Sequence, residues 1–226
     1  VGVINLIKRH MNADMLRSYF KKLGFSKKTG ITLPNEATGK LSFKYETEIF
    51  NAGFGQGITT TPLQNIQALT SLANKGVMLK PYIVDKIVDP NTNEVVYEGK
   101  RTEVDKVASE ETVNKMKDLM WDTVNGKGNT GAGYKLEGYD LIGKTGTAPI
   151  AGGYLSGSND IISSFAGVYP KEDSKVIIYA SVKRPAGGKQ NVIWKAVKDI
   201  VVNISKYYGT NPTDTTVSKL KTYTLN

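Results

Sequence analysis

The sequence has 226 residues and no cysteine, which excludes a disulfide framework, thiol catalysis and cysteine-based zinc sites. Its 30 lysine and arginine residues against 21 acidic ones give a net charge of +9, which favours anionic partners such as nucleic acid, anionic lipid or acidic cell-wall polymers. The densest group of basic residues comprises Lys21, Lys22, Lys27 and Lys28. It has no interleaved ladder of aromatic residues, so we expect a solvated face there and no nucleic-acid partner. The single histidine, His10, cannot form a histidine metal cluster, and we expect neither a metal nor another cofactor.

The first 23 residues carry apolar side chains at helical spacing, and the predicted helix stops at Gly24. No N-cap residue precedes Val1, so we expect the natural domain to begin upstream. Lys28-Thr29-Gly30 follows among lysines and a serine and is predicted to be a structural turn.

Residues 49–57 contain three glycines in five positions but lack the spacing of a phosphate-binding loop. They predict a loop whose backbone closely approaches another strand or a ligand. Thr61 and Pro62 then open a helix that ends at Gly76. Short strands are predicted over residues 77–88 and 95–97.

A second half follows, with a helix from Ser109 and a glycine-rich loop over residues 125–133. Three strands are predicted at meander spacing, over residues 141–148, 161–169 and 175–182. The last is so uniformly apolar that we expect it at the centre of the sheet with helices on both faces. An amphipathic helix over 192–204 should pack across the meander, and a polar linker or tail should occupy 209–226. The expected fold class is mixed α/β, of the α+β type: an antiparallel sheet flanked by helices.

The chemistry concentrates at the end of the strand over residues 141–148. Lys144 offers an ammonium group, and Thr145 and Thr147 offer hydroxyls to a carboxylate or an oxyanion. Gly146 has no side chain, so an extended ligand can lie against the backbone there. Pro149 removes one N–H from the strand, which leaves the course of the edge open.

Lys-Thr-Gly is also a signature of serine acyl-enzymes, a group that includes penicillin-binding proteins and class A β-lactamases. Phe54-Gly55-Gln56-Gly57, followed by Thr61-Pro62-Leu63-Gln64, resembles a loop and helix of the class B high-molecular-weight penicillin-binding proteins. Residues 25–36 resemble their connector, and 152–158 with the following strand resemble the division-associated, Gram-positive branch. The similarity spans roughly residues 15–208, so the globular part over 1–208 is identified as the C-terminal part of such a transpeptidase domain.

The resemblance implies a D,D-transpeptidase that cross-links peptidoglycan stem peptides, is acylated by β-lactams and has the penicillin-binding, serine β-lactamase-like fold. Lys144 would orient a serine of the second catalytic motif, and Thr145 and Thr147 would hold the terminal carboxylate of the substrate. The backbone N–H of Thr147 would be an oxyanion donor. The implied substrate wall is completed by Gly146, Ala148, Phe54, Gly55 and Gln56. A membrane glycosyltransferase and division proteins are the implied partners, at the extracellular face of the cytoplasmic membrane.

The nucleophile motif is the main departure from the family pattern. Ser218 and Lys221 have the Ser-x-x-Lys spacing but lie in the polar tail, and no Ser-x-Asn occurs. We therefore expect the nucleophile upstream, on a part of the protein outside this sequence. A class D-like β-lactamase or β-lactam sensor remains an alternative, although the Gly55-Gln56-Gly57 segment argues against both. A non-catalytic cell-wall-binding homologue is a further alternative.

Overall fold

A computed structural model of the chain describes residues 2–42, 45–150, 160–185 and 191–209. The chain divides into two compact units, Val1–Glu110 and Glu111–Asn226. Within the described ranges, every helix is too short or too polar to cross a membrane. The tail residues 210–226, with Ser218 and Lys221, and the segment 152–158 lie outside the described residues.

The first unit opens with two helices where the apolar spacing predicts one. Helix α1 spans Gly2–His10 and α2 spans Ala13–Lys22. Asn12 separates them in an extended conformation, and its side-chain oxygen accepts a hydrogen bond from the Met15 N–H at 2.8 Å. The Asn12 side chain caps the second helix and so favours a break at this point over one continuous helix. The prediction of a single helix was therefore wrong.

Helix α3, Glu46–Ala52, was missed because its glycine-rich continuation suggested a loop. Its first turn is closed by the Glu48 carboxylate, which accepts a hydrogen bond from the Tyr45 N–H at 2.9 Å. The helix ends at Gly53, where a Cβ would collide with the side chain of Ile7. Gly53 therefore allows α1 and α3 to pack closely around a small core of Ile7, Leu16 and Ala52.

Helix α4, Pro62–Ala73, starts at Thr61 as predicted. Thr61 and Gln64 cap each other, with the Gln64 N–H donating to the Thr61 hydroxyl at 3.1 Å and the Thr61 N–H donating to the Gln64 side chain at 2.9 Å. Two hairpin-like sheets follow. Strand β1 (Val77–Lys80) pairs with β4 (Thr102–Lys106), and β2 (Lys86–Val88) pairs with β3 (Val95–Glu98).

The strand prediction for this region was only partly right. Residues 77–88 form two strands rather than one, and Pro81 lies just after the first. Strand β4 was missed because all five of its residues are exposed and three are charged, so it lacks an apolar face that a pattern search detects.

The second unit contains helix α5 (Glu110–Asn125), a short 3-10 helix (Ala132–Tyr134) and a three-stranded sheet covered by α6 (Asn191–Tyr208). The strands are β5 (Ile142–Pro149), β6 (Ile161–Tyr169) and β7 (Val176–Lys183), all antiparallel in the order β5-β6-β7. The predicted meander and the long final helix are confirmed.

The central position predicted for β7 was wrong. Strand β6 is the middle strand, and among the described residues β7 pairs only with β6. Ile178 of β7 is buried beneath α6, whereas Ile177 and Tyr179 on the other face are half-buried. An apolar run indicates that both faces of a strand are partly covered. It does not indicate whether the strand has hydrogen-bonded neighbours on one edge or on both.

The core of the second unit is organised around Phe165 of β6. Its ring stacks on Tyr134 with a centroid distance of 3.9 Å and an interplanar angle of 17°. Gly143 and Gly167 face each other across β5 and β6, and a Cβ at either position would collide with the Phe165 ring. Burial raises the pKa of Tyr134 to about 12, so its ring remains neutral within this apolar cluster. The cluster also contains Val124, Leu136, Tyr139, Leu141, Tyr169, Ile178, Ile193, Val197 and Val201.

We predict that Gly143→Ala lowers the free energy of unfolding by about 1–3 kcal/mol, the usual cost of forcing an extra methyl into a packed core. The methyl would meet both the Phe165 ring and the Ala166 carbonyl oxygen, which is 2.9 Å from the Cβ position. Urea denaturation followed by circular dichroism measures the change.

Gly2→Ala is the matched control, because no atom lies within 4 Å of a Cβ at Gly2. Equal stability of wild type and Gly143→Ala would contradict the role assigned to the glycine pair.

Candidate active site

The edge of β5 that faces away from β6 is the central feature of the candidate site. The Ile150 N–H donates to the Asp160 carbonyl at 2.8 Å, in continuation of the β5–β6 register. Because antiparallel pairing alternates, the even-numbered residues of β5 direct their N–H and C=O groups toward β6 and the odd-numbered ones direct theirs away. Thr145 and Thr147 therefore present their backbone N–H and C=O groups at the outer edge, where β5 has no strand partner among the described residues.

The side chains of the motif divide between the two faces of the sheet. Lys144, Gly146 and Ala148 lie on one face, and Thr145 and Thr147 on the other, as strand alternation requires. Lys144 is exposed, and its ammonium donates to the outward carbonyl of Thr145 at 2.7 Å. An ammonium has three protons, so this contact leaves donors for a ligand or a further side chain.

Ser164 explains part of the need for glycine in the motif. Gly146 and Ser164 are register partners, and a Cβ at Gly146 would be 2.5 Å from the Ser164 Oγ. The serine hydroxyl therefore occupies the space that a side chain at position 146 would need. A side chain at position 146 would force the Ser164 hydroxyl to move, and it would also meet any ligand that approaches the backbone.

The glycine-rich loop before β5 contacts the motif through Thr130. The Thr145 hydroxyl donates to the Thr130 hydroxyl at 3.2 Å. The loop is tied down at its start, where the Asn125 amide donates to the Leu141 carbonyl at 3.1 Å. Thr130 therefore helps to orient the Thr145 hydroxyl, and the loop and β5 form one local structure.

Pro149 leaves the β5–β6 ladder intact. It is an odd-numbered residue, so its missing N–H would have pointed to the outer edge rather than to β6. The proline therefore removes only an outward donor, and the outward row of N–H groups ends at Thr147. The course of the edge is thus defined up to Ile150, and residues 151–159 lie outside the described residues.

The predicted wall residues Phe54, Gly55 and Gln56 lie in the first unit, just after α3. Phe54 is 51% exposed, and Gly55 has a φ of 88° with open space around its Cβ position. The Gln56 N–H donates to the Asn51 carbonyl at 2.9 Å, which closes the turn. These residues and the Lys144 motif belong to different compact units. Their meeting in one cleft stays a prediction.

The first Lys-Thr-Gly copy is built differently from the second. It lies in an irregular loop, and the buried Thr29 gives both its hydroxyl and its N–H to one oxygen of Glu36, at 2.6 and 2.7 Å. The Gly30 N–H donates to the other oxygen at 3.0 Å. Burial opposes ionisation of Glu36, but these hydrogen bonds and the Lys28 charge outweigh it and hold the Glu36 pKa below its ordinary value of 4.5. Thr29 is thus committed to an internal contact, in keeping with the predicted structural turn.

Sequence reasoning missed Ser164 and Thr130. Both are small hydroxyl residues without a motif, and their importance depends on strand register and loop closure. The four glycines in residues 125–133 were the only signal for the loop, and they carry no information on which of its side chains contacts β5.

Comparison with known proteins agrees with this geometry. The family model described as the penicillin binding protein transpeptidase domain matches residues 1–202. Stage V sporulation protein D of Bacillus subtilis is 36% identical over 192 residues, which are 82% of this chain and 29% of that protein. The peptidoglycan D,D-transpeptidase FtsI homolog of Mesostigma viride is 27% identical over 209 residues, which are 82% of this chain and 34% of that protein. The chain thus spans roughly a third of the length of these curated relatives.

Solved structures show the same fold. The crystal structure of penicillin binding protein 3 from Mycobacterium tuberculosis, complexed with aztreonam, superposes with a TM-score of 0.82 at 23% identity. The superposition covers 94% of this chain and 50% of that one. The predicted fold class and the predicted family resemblance are both confirmed.

We predict that Glu36→Gln lowers the free energy of unfolding at neutral pH by about 1–2 kcal/mol, because the amide loses charge-assisted hydrogen bonds. The folded-state pKa of Glu36 lies below its ordinary value of 4.5, so the carboxylate stabilises the fold fully above that value. The stabilisation is lost as the pH falls through the lowered pKa, and the two proteins should converge there. Urea titrations at several pH values measure the difference.

The exposed Glu94 provides the control substitution, Glu94→Gln, for which no such convergence is expected. A stability difference for Glu36→Gln that is constant from neutral to acidic pH would show that the ionised carboxylate is not the stabilising group.

Proposed function

Because the chain belongs to the penicillin-binding protein transpeptidase domain family, we propose that it forms one wall of the active site of a peptidoglycan D,D-transpeptidase. The observation that carries the proposal is the outward edge of β5, which combines the backbone groups of Thr145 and Thr147 with the Lys144 ammonium. Such an edge suits a peptide substrate, which can pair with the strand through its own backbone.

In the proposed reaction a serine oxygen attacks the carbonyl carbon between the two terminal D-alanines of a stem peptide. The serine proton passes to a base, and negative charge develops on the carbonyl oxygen. The outward N–H of Thr147 donates to that oxygen and lowers the energy of the tetrahedral intermediate. The C–N bond then breaks, the terminal D-alanine leaves with a proton, and an acyl-enzyme ester remains.

The second half of the reaction transfers the acyl group. An amine of a neighbouring stem peptide attacks the ester carbonyl, and the serine oxygen leaves and regains a proton. Two stems are then joined by a new amide bond, so atoms and protons balance without a cofactor. The Thr147 N–H acts on the same oxygen in both halves.

Lys144 and the two threonines have separate tasks in this proposal, which fits their positions on opposite faces of β5. The Thr145 and Thr147 hydroxyls hold the terminal carboxylate of the substrate from one side. From the other side, Lys144 keeps the site electropositive and orients the serine of the second motif. Thr130 positions the Thr145 hydroxyl through the contact at 3.2 Å.

The nucleophile is proposed to lie on another part of the protein. The main support is that the chain spans roughly a third of its curated relatives. The sequence has the Ser-x-x-Lys spacing twice, and neither copy has the setting expected of the nucleophile: Ser218 to Lys221 lies in the polar tail, and Ser18 to Lys21 lies late in α2, where the Ser18 hydroxyl donates to the Met15 carbonyl at 2.9 Å. Phe54, Gly55 and Gln56 are proposed to line the cleft, contributing to its shape more than to its chemistry. We assign the site to the extracellular face of the cytoplasmic membrane, where a glycosyltransferase supplies glycan strands and division proteins direct the enzyme.

β-Lactams are the proposed inhibitors. They present a strained amide carbonyl and an anionic acid group to the same residues, but ring opening leaves the amine part attached to the acyl-enzyme. It therefore blocks the second attack. Aztreonam is the compound in the solved complex of the Mycobacterium tuberculosis relative.

We predict that Lys144→Ala in the full-length protein slows acylation by a fluorescent penicillin roughly 100-fold, as expected when a charged active-site donor is removed. Lys28→Ala is the matched control, because Lys28 holds the same place in the other Lys-Thr-Gly copy and should leave the rate unchanged. Stopped-flow fluorescence measures the rate, and peptide mass spectrometry identifies the acylated residue.

The adduct is expected on a serine outside residues 1–226. An adduct within these residues, or an unchanged rate in Lys144→Ala, would overturn the assignment. Rapid hydrolysis of the penicillin by the wild type would indicate a β-lactamase instead.

A second prediction separates the two reasons for glycine at position 146. Gly146→Ala should slow acylation at least ~10-fold, because its methyl group intrudes where a ligand lies against the strand. Adding Ser164→Ala removes the Oγ that is 2.5 Å from the Cβ position and should restore the thermal stability of the variant. The acylation rate should stay low in the double variant. Full recovery of the rate would mean that Gly146 serves only the packing of Ser164.

A further inference from the structure

A lysine-lined concavity in the first unit shares no lining residue with the proposed active site. It has a volume of about 630 Å³ and is bounded by α2, the loop after it, α4 and the β1–β4 pair. Its charged lining comprises Lys21, Lys22, Lys27, Lys28, Lys80 and a single acid, Asp105. We call it the lysine pocket. Its five lysines are exposed, and together they concentrate positive charge around one hollow.

These lysines lack the ion pairs that basic residues make elsewhere. Within the described ranges, Lys75 pairs with Glu110 at 3.0 Å and Lys171 pairs with Asp118 at 2.7 Å. No ion pair joins any of the five pocket lysines to a described carboxylate. Glu36 is near enough to Lys28 to interact electrostatically, but its oxygens already accept hydrogen bonds from Thr29 and Gly30.

The backbone beneath the lysines is held in place by buried side chains. The Gln64 amide donates to the Lys27 carbonyl at 2.7 Å. Gln67 is 3% exposed, and its amide donates to the carbonyls of Thr29 and Leu79 at 3.4 and 3.3 Å. One amide therefore joins α4 to the loop that carries Lys27 and Lys28 and to β1, which ends at Lys80.

Two glycines bring polar groups close to the floor of the pocket. At Gly24 a Cβ would be 2.9 Å from the Gln67 side-chain oxygen, so the absence of a side chain lets the buried Gln67 amide pack against the loop backbone. At Gly30 a Cβ would be 3.1 Å from the Lys80 Cε, so the Lys80 stem lies across the loop backbone. The lysines are thus presented from a braced surface, which lowers the conformational cost of binding.

We propose that the lysine pocket binds a phosphate-bearing linear polymer. Phosphate groups carry the charge density and the acceptor oxygens that several ammonium groups can share, and a chain can enter a concave site. A flat membrane surface cannot follow a hollow of this kind. Single-stranded nucleic acid requires aromatic platforms for its bases, and the residues that line the pocket include none. The proposal does not depend on the serine chemistry.

The test measures binding of a short linear polyphosphate to the full-length protein by isothermal titration calorimetry. The pocket variant is K22Q/K28Q/K80Q. The charge-matched control is K8Q/K86Q/K100Q, which removes three lysines of the same unit that are exposed like those of the pocket but do not line it. We expect the pocket variant to lose at least ~10-fold in affinity and the control to change less than ~3-fold, since salt screens charges that do not contact the ligand.

Acylation by fluorescent penicillin should be the same in both variants, which verifies that they fold. Failure of acylation in the wild type would contradict the proposed enzyme and leave the pocket binding data intact.

Equal losses of affinity in the two variants would overturn the pocket, because net charge alone would then explain binding. Equal binding of polyglutamate would overturn phosphate recognition. Binding of phosphatidylglycerol vesicles without binding of polyphosphate would overturn a polymer ligand in favour of a lipid surface.

Discussion

The alternating hydrogen-bond pattern between β5 and β6 is the constraint on which the candidate site depends. It commits the even-numbered residues of β5 to the sheet and leaves the backbone groups of Thr145 and Thr147 at the outer edge. A shift of one residue would reverse every assignment: the threonines would pair with β6, and the Lys144 backbone would face outward. The packing of Phe165 between Gly143 and Gly167 opposes such a shift, because only glycine fits opposite the ring. The core of the second unit and the chemistry of its edge are therefore determined by the same register.

The two Lys-Thr-Gly copies demonstrate that the tripeptide has no function apart from its setting. In the second copy every other residue pairs its backbone with β6, the lysine side chain is exposed, and both threonines lie within β5. In the first copy Glu36 takes the threonine hydroxyl and two backbone N–H groups, so nothing equivalent remains for a ligand. Its lysine instead belongs to a concave basic surface. The same three residues thus contribute to substrate binding in one proposal and to a polyanion site in the other.

Periodicity predicted α4, α6 and the meander because each has an apolar stripe or alternation that the core requires. It failed where polar or special residues decide the structure. Asn12 divides a helix that the apolar spacing had joined, and the exposed strand β4 offers no apolar face. The motif residues of the site were found because lysine, glycine and threonine recur in a known pattern. Ser164 and Thr130 were missed because their roles arise from register and loop closure, which connect residues distant in sequence.

Pro149 has a consequence for pairing between copies of the chain along the outer edge of β5. An enzyme that binds a peptide along a strand must keep that strand edge unpaired, and an unpaired edge also recruits the edges of other copies. At the second unit's edge, the outward row of donors is cut off at Thr147, and the Lys144 ammonium already occupies the Thr145 carbonyl. The usable edge is therefore only a few residues long. That length suits a short peptide ligand, and the missing donor at Pro149 disfavours a long intermolecular sheet along this edge of β5.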